Sequence, residues 1–105
     1  MGMKRNVTLD STVFVSSWGW RDCDPCGSVC ATTYKRAEKL ALQGMRADAR
    51  YAALDCDSEY KTIRAALYNI AWYGVSSFTF RDVAPYGESA LEELNDNGFC
   101  YLDIP

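Results

Sequence analysis

The sequence predicts an α/β fold in which a central mixed β-sheet is flanked by helices, within one domain over residues 1–105. Short apolar runs of β type alternate with longer segments whose apolar residues recur at helical spacing. The order of these segments is β-α-β-α-β-β-α, which contains the βαβ unit typical of such folds. A chain of 105 residues, 49% of them hydrophobic, is long enough for one small core.

The first two predicted elements are a strand and a long helix. Residues 12–17 are β-branched or aromatic at most positions, which indicates a strand. Asp24 suits the N-cap of a helix, Pro25 suits its first position, and Gly44 suits its end. Apolar or small residues recur along this segment at Cys26, Val29, Cys30, Thr33, Ala37, Leu40 and Ala41.

A second strand and helix follow in the middle of the chain. Residues 51–54 form an apolar run that is short for a helix and suits a buried parallel strand. Asp57 or Ser58 can cap the next helix. The apolar stripe of that helix consists of Tyr60, Ile63, Leu67, Ile70 and Ala71.

The last third of the chain predicts two strands, a helix and an apolar tail. Residues 76–80 suit a strand, and residues 83–86 a short partner strand. Residues 88–97 suit a third helix that Gly98 closes. The tail over residues 99–104 can dock on the domain as an extra strand.

Charge and composition narrow the classes of function. The net charge of −3 argues against a nucleic-acid partner, because phosphate binding favours a basic surface. No apolar run has the length of a membrane span, and residues 1–6 lack the apolar stretch of a signal peptide, so we expect a cytoplasmic protein. The chain has no histidine, which excludes Ser-His-Asp and Cys-His catalysis and zinc sites that need imidazole.

The motif Cys23-Asp24-Pro25-Cys26 carries the strongest chemical signal. It lies where the first strand is predicted to lead into the first helix, and a helix N-terminus stabilises a thiolate. Arg21 should also favour the thiolate of Cys23, whereas Asp22 and Asp24 should oppose it, so we expect only a moderately lowered pKa for Cys23. The pattern predicts thiol–disulfide exchange.

These residues resemble the thioredoxin superfamily over most of the chain. Trp18, Trp20 and the Cys-Asp-Pro-Cys motif resemble the family's W-x-C-x-P-C region. Leu54-Asp55-Cys56-Asp57 resembles its L-D-x-D strand end, and either Tyr68-Asn69-Ile70 or Tyr73-Gly74-Val75 resembles its Y-G-V stretch. The resemblance implies a thioredoxin-like fold.

The resemblance also implies the roles of the site residues. Cys23 would be the nucleophile and Cys26 the resolving cysteine. Their surroundings would be Trp18, Trp20, Arg21, Asp22, Asp24 and Pro25. The family's substrate-docking cis-proline has no proline counterpart here, and Gly74, Val75 and Ser76 stand in its region. The family's buried aspartate is replaced by Ser16 or Ser17.

The resemblance further implies the partners. Substrates would be disulfide-containing proteins or glutathione, and the reductant would be glutathione or a protein like thioredoxin reductase. No bound cofactor or metal is required, neither nucleic acid nor membrane is an expected partner, and the protein is expected to act as a monomer.

Two alternatives to an oxidoreductase stay open. One is a non-catalytic thioredoxin-fold module for protein interaction. The other is a metal-binding protein in which Cys23, Cys26 and Cys30, completed by Cys56 or a carboxylate, hold zinc or an iron–sulfur cluster. For Cys30 itself the preferred interpretation is a small core residue, and Cys56 and Cys100 are expected to be structural.

Overall fold

The computed structural model describes residues 6–21, 25–54 and 61–103, and for Pro25 and Cys26 it describes the backbone alone. It confirms the α/β class, since a single sheet is packed against helices. The elements are strands β1 (Thr12–Trp20) and β2 (Pro25–Ala31), helices α1 (Tyr34–Leu54) and α2 (Ile63–Tyr68), strand β3 (Ile70–Thr79), helix α3 (Phe80–Val83), a 3-10 turn (Ala84–Tyr86), helix α4 (Ala90–Asn97) and strand β4 (Phe99–Leu102).

The sheet differs from the predicted one in its strand directions. Its order is β3-β1-β2-β4, and each neighbouring pair is antiparallel. The prediction of a mixed sheet with a βαβ unit is therefore wrong for the residues described. The first two strands follow each other directly in the chain as a hairpin, and the β-α-β-α-β-β-α order of a thioredoxin-like topology is not confirmed.

The largest correction concerns the segment that follows the hairpin turn. Residues 25–31 form β2, so the helix predicted from Pro25 begins only at Tyr34. Glycine, serine, valine and cysteine dominate this stretch, and all are weak helix formers. β2 also lies between two strands, which explains why Val29 and Cys30 are both fully buried although they point to opposite faces.

Helix α1 continues well beyond its predicted end at Gly44 and absorbs residues 51–54, which were predicted to form a strand. Alanine and arginine are frequent between Gly44 and the end of α1, where Met45 and Leu54 also occur, and all four residue types are strong helix formers. Tyr51 and Leu54 are 79% exposed, so the last turn of α1 extends past the sheet instead of being buried in it.

The middle of the chain also differs in detail. Helix α2 spans only six residues, and the Thr62 hydroxyl caps it by accepting a hydrogen bond from the Ala65 N–H at 3.1 Å. The predicted caps Asp57 and Ser58 lie outside the described residues. Ile70 and Ala71 belong to β3 instead of the helix, and residues 83–86 form helical turns instead of a strand.

The C-terminal part of the chain agrees with its prediction. Helix α4 ends at Gly98, whose φ of 85° is the left-handed conformation that glycine adopts easily. The Gly98 N–H donates to the Leu94 carbonyl at 3.0 Å. The apolar tail then forms β4, which pairs with β2 as the predicted extra strand.

The two faces of the sheet carry separate parts of the core. We call the face covered by α1 and α2 the long-helix face; its buried residues are Trp18, Val29, Leu40, Ala41, Met45, Ala49, Ala66 and Ile70. We call the face covered by α3 and α4 the short-helix face; its buried residues are Val13, Val15, Cys30, Phe80, Val83, Ala90, Leu94, Cys100 and Leu102. None of the described helices combines the length and the apolar content that a membrane span needs.

Candidate functional site

In the sequence, the Cys-Asp-Pro-Cys motif lies where the chain passes from β1 to β2. Cys23, Asp22 and Asp24 lie outside the described residues, whereas the backbone of Cys26 belongs to β2. Trp18 pairs with Gly27 and the next residue of β1 pairs with Pro25, so Cys26 is the extra residue of a β-bulge. Because α1 begins only at Tyr34, it does not supply the helix N-terminus that was predicted beside the dithiol.

Arg21 is held firmly at the end of β1. Its backbone N–H donates to the Asn69 carbonyl at 2.9 Å, and its side-chain Nε donates to the Tyr68 carbonyl at 2.9 Å. Its guanidinium carbon also lies 5.5 Å from the centre of the Tyr68 ring, within the range of a cation–π contact. A fixed positive charge therefore stands two residues before Cys23 in the sequence.

Trp18, expected beside the dithiol, belongs to the core of the long-helix face. Its ring lies between Gly27 of β2 and Gly44 of α1, and a Cβ atom at either glycine would overlap the ring. Its indole Nε1 donates a 2.7 Å hydrogen bond to Asp48 Oδ2. Trp20 is half-buried and packs against the same core. Trp18 therefore contributes to the packing between the sheet and α1.

The predicted docking residues Gly74, Val75 and Ser76 lie in β3. Gly74 has a φ of 81°, and it sits at a bulge where β3 contains one residue more than β1 opposite. β3 and β2 flank β1 on opposite sides, so the structure does not bring these residues together with Cys26. Gly74 and Ser76 line a different feature, a hollow on the short-helix face.

Ser16 has a structural role at this bulge. Its hydroxyl donates to the Gly74 carbonyl at 2.7 Å and accepts from the Trp72 indole Nε1 at 2.7 Å. Ser17, the other residue considered for the place of the family's buried aspartate, exchanges a 2.7 Å hydrogen bond with Ser28. Both serines therefore serve hydrogen bonds within the sheet.

Cys30 and Cys100 form a buried pair that the sequence did not reveal as a pair. They are direct partners across β2 and β4, they are 0% and 2% exposed, and both are reduced thiols. The hydrogen bond between the two thiols, together with burial, raises the pKa of Cys30. The same hydrogen bond favours the thiolate of Cys100 and lowers its pKa, against the opposing effects of burial and of Glu93.

The pairing of Cys30 with Cys100 separates Cys30 from the cysteine cluster seen in the sequence. The alternation of buried and exposed residues over residues 99–102, once that tail was predicted to be a strand, would have placed Cys100 inward. Among residues 6–21, 25–54 and 61–103, no group of three or more Cys, Asp or Glu side chains is placed to hold a metal ion.

A hollow of about 350 Å³ opens on the short-helix face, between β3 and the α3 segment. Its β3 side carries Tyr73, Ser76 and Phe78, and its other side carries Asp82 and Tyr86. Three aromatic side chains, Tyr73, Phe78 and Tyr86, border this one opening, and exposed apolar side chains gathered in one place mark a binding surface. The hollow is therefore the second candidate site of the molecule.

Comparisons with known proteins provide no relative from which the role of either site could be inferred. No family model matches the chain, and neither the curated proteins nor the solved structures contain a match.

Proposed function

We propose that the protein is a thiol–disulfide oxidoreductase in which Cys23 is the nucleophile and Cys26 the resolving cysteine. One observation carries this proposal: the fold commits Cys30 and Cys100 to each other in the core. A buried pair is out of reach of a protein substrate. Cys23 and Cys26 then remain as the cysteines two residues apart in the sequence, in the segment that leads from β1 into β2 and that follows Arg21.

The reaction requires only the dithiol and its substrates. The Cys23 thiolate attacks a substrate disulfide, forms a mixed disulfide and releases one substrate thiolate, which takes up a proton. The Cys26 thiolate then attacks the Cys23 sulfur and releases the second substrate thiol. The substrate gains two electrons and two protons, and the Cys23–Cys26 disulfide is returned to the dithiol by glutathione or by a reductase.

The proposal keeps the motif of the thioredoxin superfamily but changes its setting. In that family's pattern the second cysteine enters a helix, whereas Cys26 here enters a strand at a bulge. The substrate would therefore meet the start of β2, without the docking strand expected at residues 74–76. The cytoplasm is the proposed setting, because its glutathione keeps exposed thiols reduced.

An insulin-reduction assay tests this function, with glutathione and with a thioredoxin reductase as alternative reductants. The wild type should reduce insulin faster than the reductant alone, and Cys23→Ser should abolish the gain. Cys26→Ser should accumulate the mixed disulfide, which can be isolated by non-reducing electrophoresis. The matched control is Cys100→Ala, which removes a buried thiol and should retain activity.

A second candidate function is metal binding at the same hairpin. It is favoured by the β-strand setting of Cys26, since structural zinc sites of the ribbon type take Cys-x2-Cys pairs of this spacing. Cys56, a further proposed ligand, lies outside the described residues. Metal analysis of protein purified without oxygen distinguishes the two functions: about one zinc per chain, lost in Cys23→Ser, supports the metal site. A protein with neither metal nor reductase activity supports the non-catalytic interaction module.

A further inference from the structure

The hollow on the short-helix face is built from two walls and an apolar floor. Tyr73 and Phe78 stand on β3, Asp82 on α3 and Tyr86 on the 3-10 turn. Val15 and Val83 close the floor, and both are almost fully buried, so they belong to the core. The volume of about 350 Å³ lies at the small end of the range of ligand pockets.

The aromatic side chains of the walls are only partly buried. Tyr73 is 52% exposed, Phe78 is 41% exposed and Tyr86 is 39% exposed. Each ring therefore keeps surface that a ligand could cover. The negative face of an aromatic ring attracts a cation within about 6 Å of its centre, and several rings around one opening form the cage that recognises quaternary ammonium groups.

The charge at the hollow has the matching sign. Asp82 is the single charged residue among those that line it, and within the described part of the chain its carboxylate has neither a hydrogen-bond donor nor an ion-pair partner. Its neighbour Arg81 does not neutralise it, because the Arg81 guanidinium is paired with Asp10 at 3.1 Å. One unpaired negative charge thus stands beside three aromatic rings.

The floor selects among cations. A primary ammonium group needs hydrogen-bond acceptors for its three N–H groups, and the side chains of Val15 and Val83 at the floor offer none. A quaternary ammonium group has no N–H to satisfy, and its methyl groups suit an apolar floor. Ser17, also at the floor, already shares its hydroxyl with Ser28.

We propose that this hollow binds a small molecule that carries a quaternary ammonium group, of about the size of choline. Tyr73, Phe78 and Tyr86 surround the cation, and Asp82 balances its charge. The residues that line the hollow include neither Cys23 nor Cys26, so this inference does not depend on the proposed oxidoreductase function.

Titration calorimetry with choline chloride, using the full chain, tests the site. The comparison ligand is 3,3-dimethylbutan-1-ol, which has nearly the shape of choline but no charge, in buffer of matched ionic strength. Choline should bind and the neutral alcohol should bind at least about fivefold more weakly, because the cation–π attraction is absent. Equal binding of the two ligands, or binding of neither, would overturn the proposal.

Variants locate the binding in the hollow. Asp82→Asn and Tyr73→Leu lie at exposed positions, and each should weaken choline binding by about three- to tenfold. The matched controls are Glu92→Gln on α4 and Tyr51→Leu at the exposed end of α1, and both should bind as the wild type does. Thermal unfolding of each variant confirms that it is folded, and unchanged affinity in folded Asp82→Asn and Tyr73→Leu would contradict the site.

Two further titrations test which class of ligand the site recognises and whether binding depends on Cys23 and Cys26. A trimethyllysine peptide that binds more than about tenfold tighter than choline would overturn the assignment to a free small molecule. The double variant Cys23→Ser/Cys26→Ser should bind choline unchanged, which keeps this inference distinct from the redox proposal.

Discussion

The two faces of the sheet are covered in different ways. On the long-helix face, one helix of 21 residues lies across the strands, and its Gly44 leaves room for the ring of Trp18. On the short-helix face, α3 has four residues and α4 has eight, and together they leave the side of the sheet near β3 open.

This difference between the two faces distinguishes residues that the fold needs for stability from residues that are available for binding. The long-helix face is closed by tight contact, and a change there should disturb the whole fold. The short-helix face combines a closed half, where Cys30 and Cys100 are buried, with an open half, where aromatic rings remain exposed. Residues of the open half should be replaceable without loss of folding.

The largest effect should come from the Trp18 contact. Trp18→Ala should lower the free energy of unfolding by about 3–5 kcal/mol, measured by urea denaturation. Gly44→Ala should destabilise the wild type by about 1–3 kcal/mol, because the added Cβ overlaps the Trp18 ring. In the Trp18→Ala background the same change should stabilise by about 1 kcal/mol, since alanine is the better helix former. A stabilising Gly44→Ala with Trp18 present would contradict the contact.

The buried cysteine pair of the short-helix face should close to a cross-strand disulfide. In a Cys23→Ser/Cys26→Ser/Cys56→Ser background, diamide should oxidise the Cys30 and Cys100 thiols, and the loss of two hydrogens should be seen by mass spectrometry. The disulfide should stabilise the fold by about 2–4 kcal/mol, because it restricts the unfolded chain. The control is this triple variant with the further change Cys100→Ala, which cannot form the disulfide. If both thiols of the triple variant persisted after diamide treatment, Cys30 and Cys100 would not be close enough to pair.

Ser16 should contribute an intermediate amount. Ser16→Ala removes the hydrogen bonds to the Gly74 carbonyl and from the Trp72 indole, and it should lower the free energy of unfolding by about 1–3 kcal/mol. Ser17→Ala removes a single hydroxyl contact with Ser28 and should have the smaller effect in the same denaturation experiment. Equal effects of the two changes would show that the bulge does not depend on Ser16.

The smallest effect should come from the open half of the short-helix face. Tyr73→Ala should change the free energy of unfolding by no more than about 0.5 kcal/mol, because the ring is half exposed and no core cluster contains it. A loss near that of Trp18→Ala, in the same assay, would mean that the wall of the hollow is part of the core and would remove the contrast between the faces.

The sequence predicted the elements whose local signals agree with their surroundings. The prediction of β1 followed from β-branched and aromatic residues, that of the end of α4 from Gly98, and that of the docked tail from its apolar residues. In these segments the residue pattern and the tertiary position favour the same structure. Local rules were therefore sufficient there.

The β2 segment shows why local rules failed elsewhere. Asp24-Pro25 suits both the start of a helix and a turn, and Cys26, Val29, Cys30 and Thr33 recur at a spacing that also suits a helix. β2 pairs with β1 on one side and with β4 on the other, so burial on both of its faces determined its structure. Its partner β4 lies at the far end of the chain, where a local pattern cannot reveal it. The same long-range pairing hid the partner of Cys30.

Gly44 illustrates a second limit. Glycine after a run of helical residues usually indicates the end of a helix, and here it lies near the middle of α1. A glycine is needed at this position because the ring of Trp18 packs against the helix there and leaves no room for a Cβ atom. When a glycine makes room for a side chain that is distant in the sequence, its sequence neighbours do not reveal that role.

The bulge in β3 has a consequence for how molecules of this protein meet one another. β3 is a long edge strand, and a straight edge strand offers its unpaired backbone groups to a second chain. Gly74 and the extra residue bend that edge, while the opposite edge, β4, has only four residues. The bulge, which the hydrogen bonds of Ser16 stabilise, therefore hinders edge-to-edge pairing of the sheets of two molecules. At high protein concentration it should reduce association into fibres.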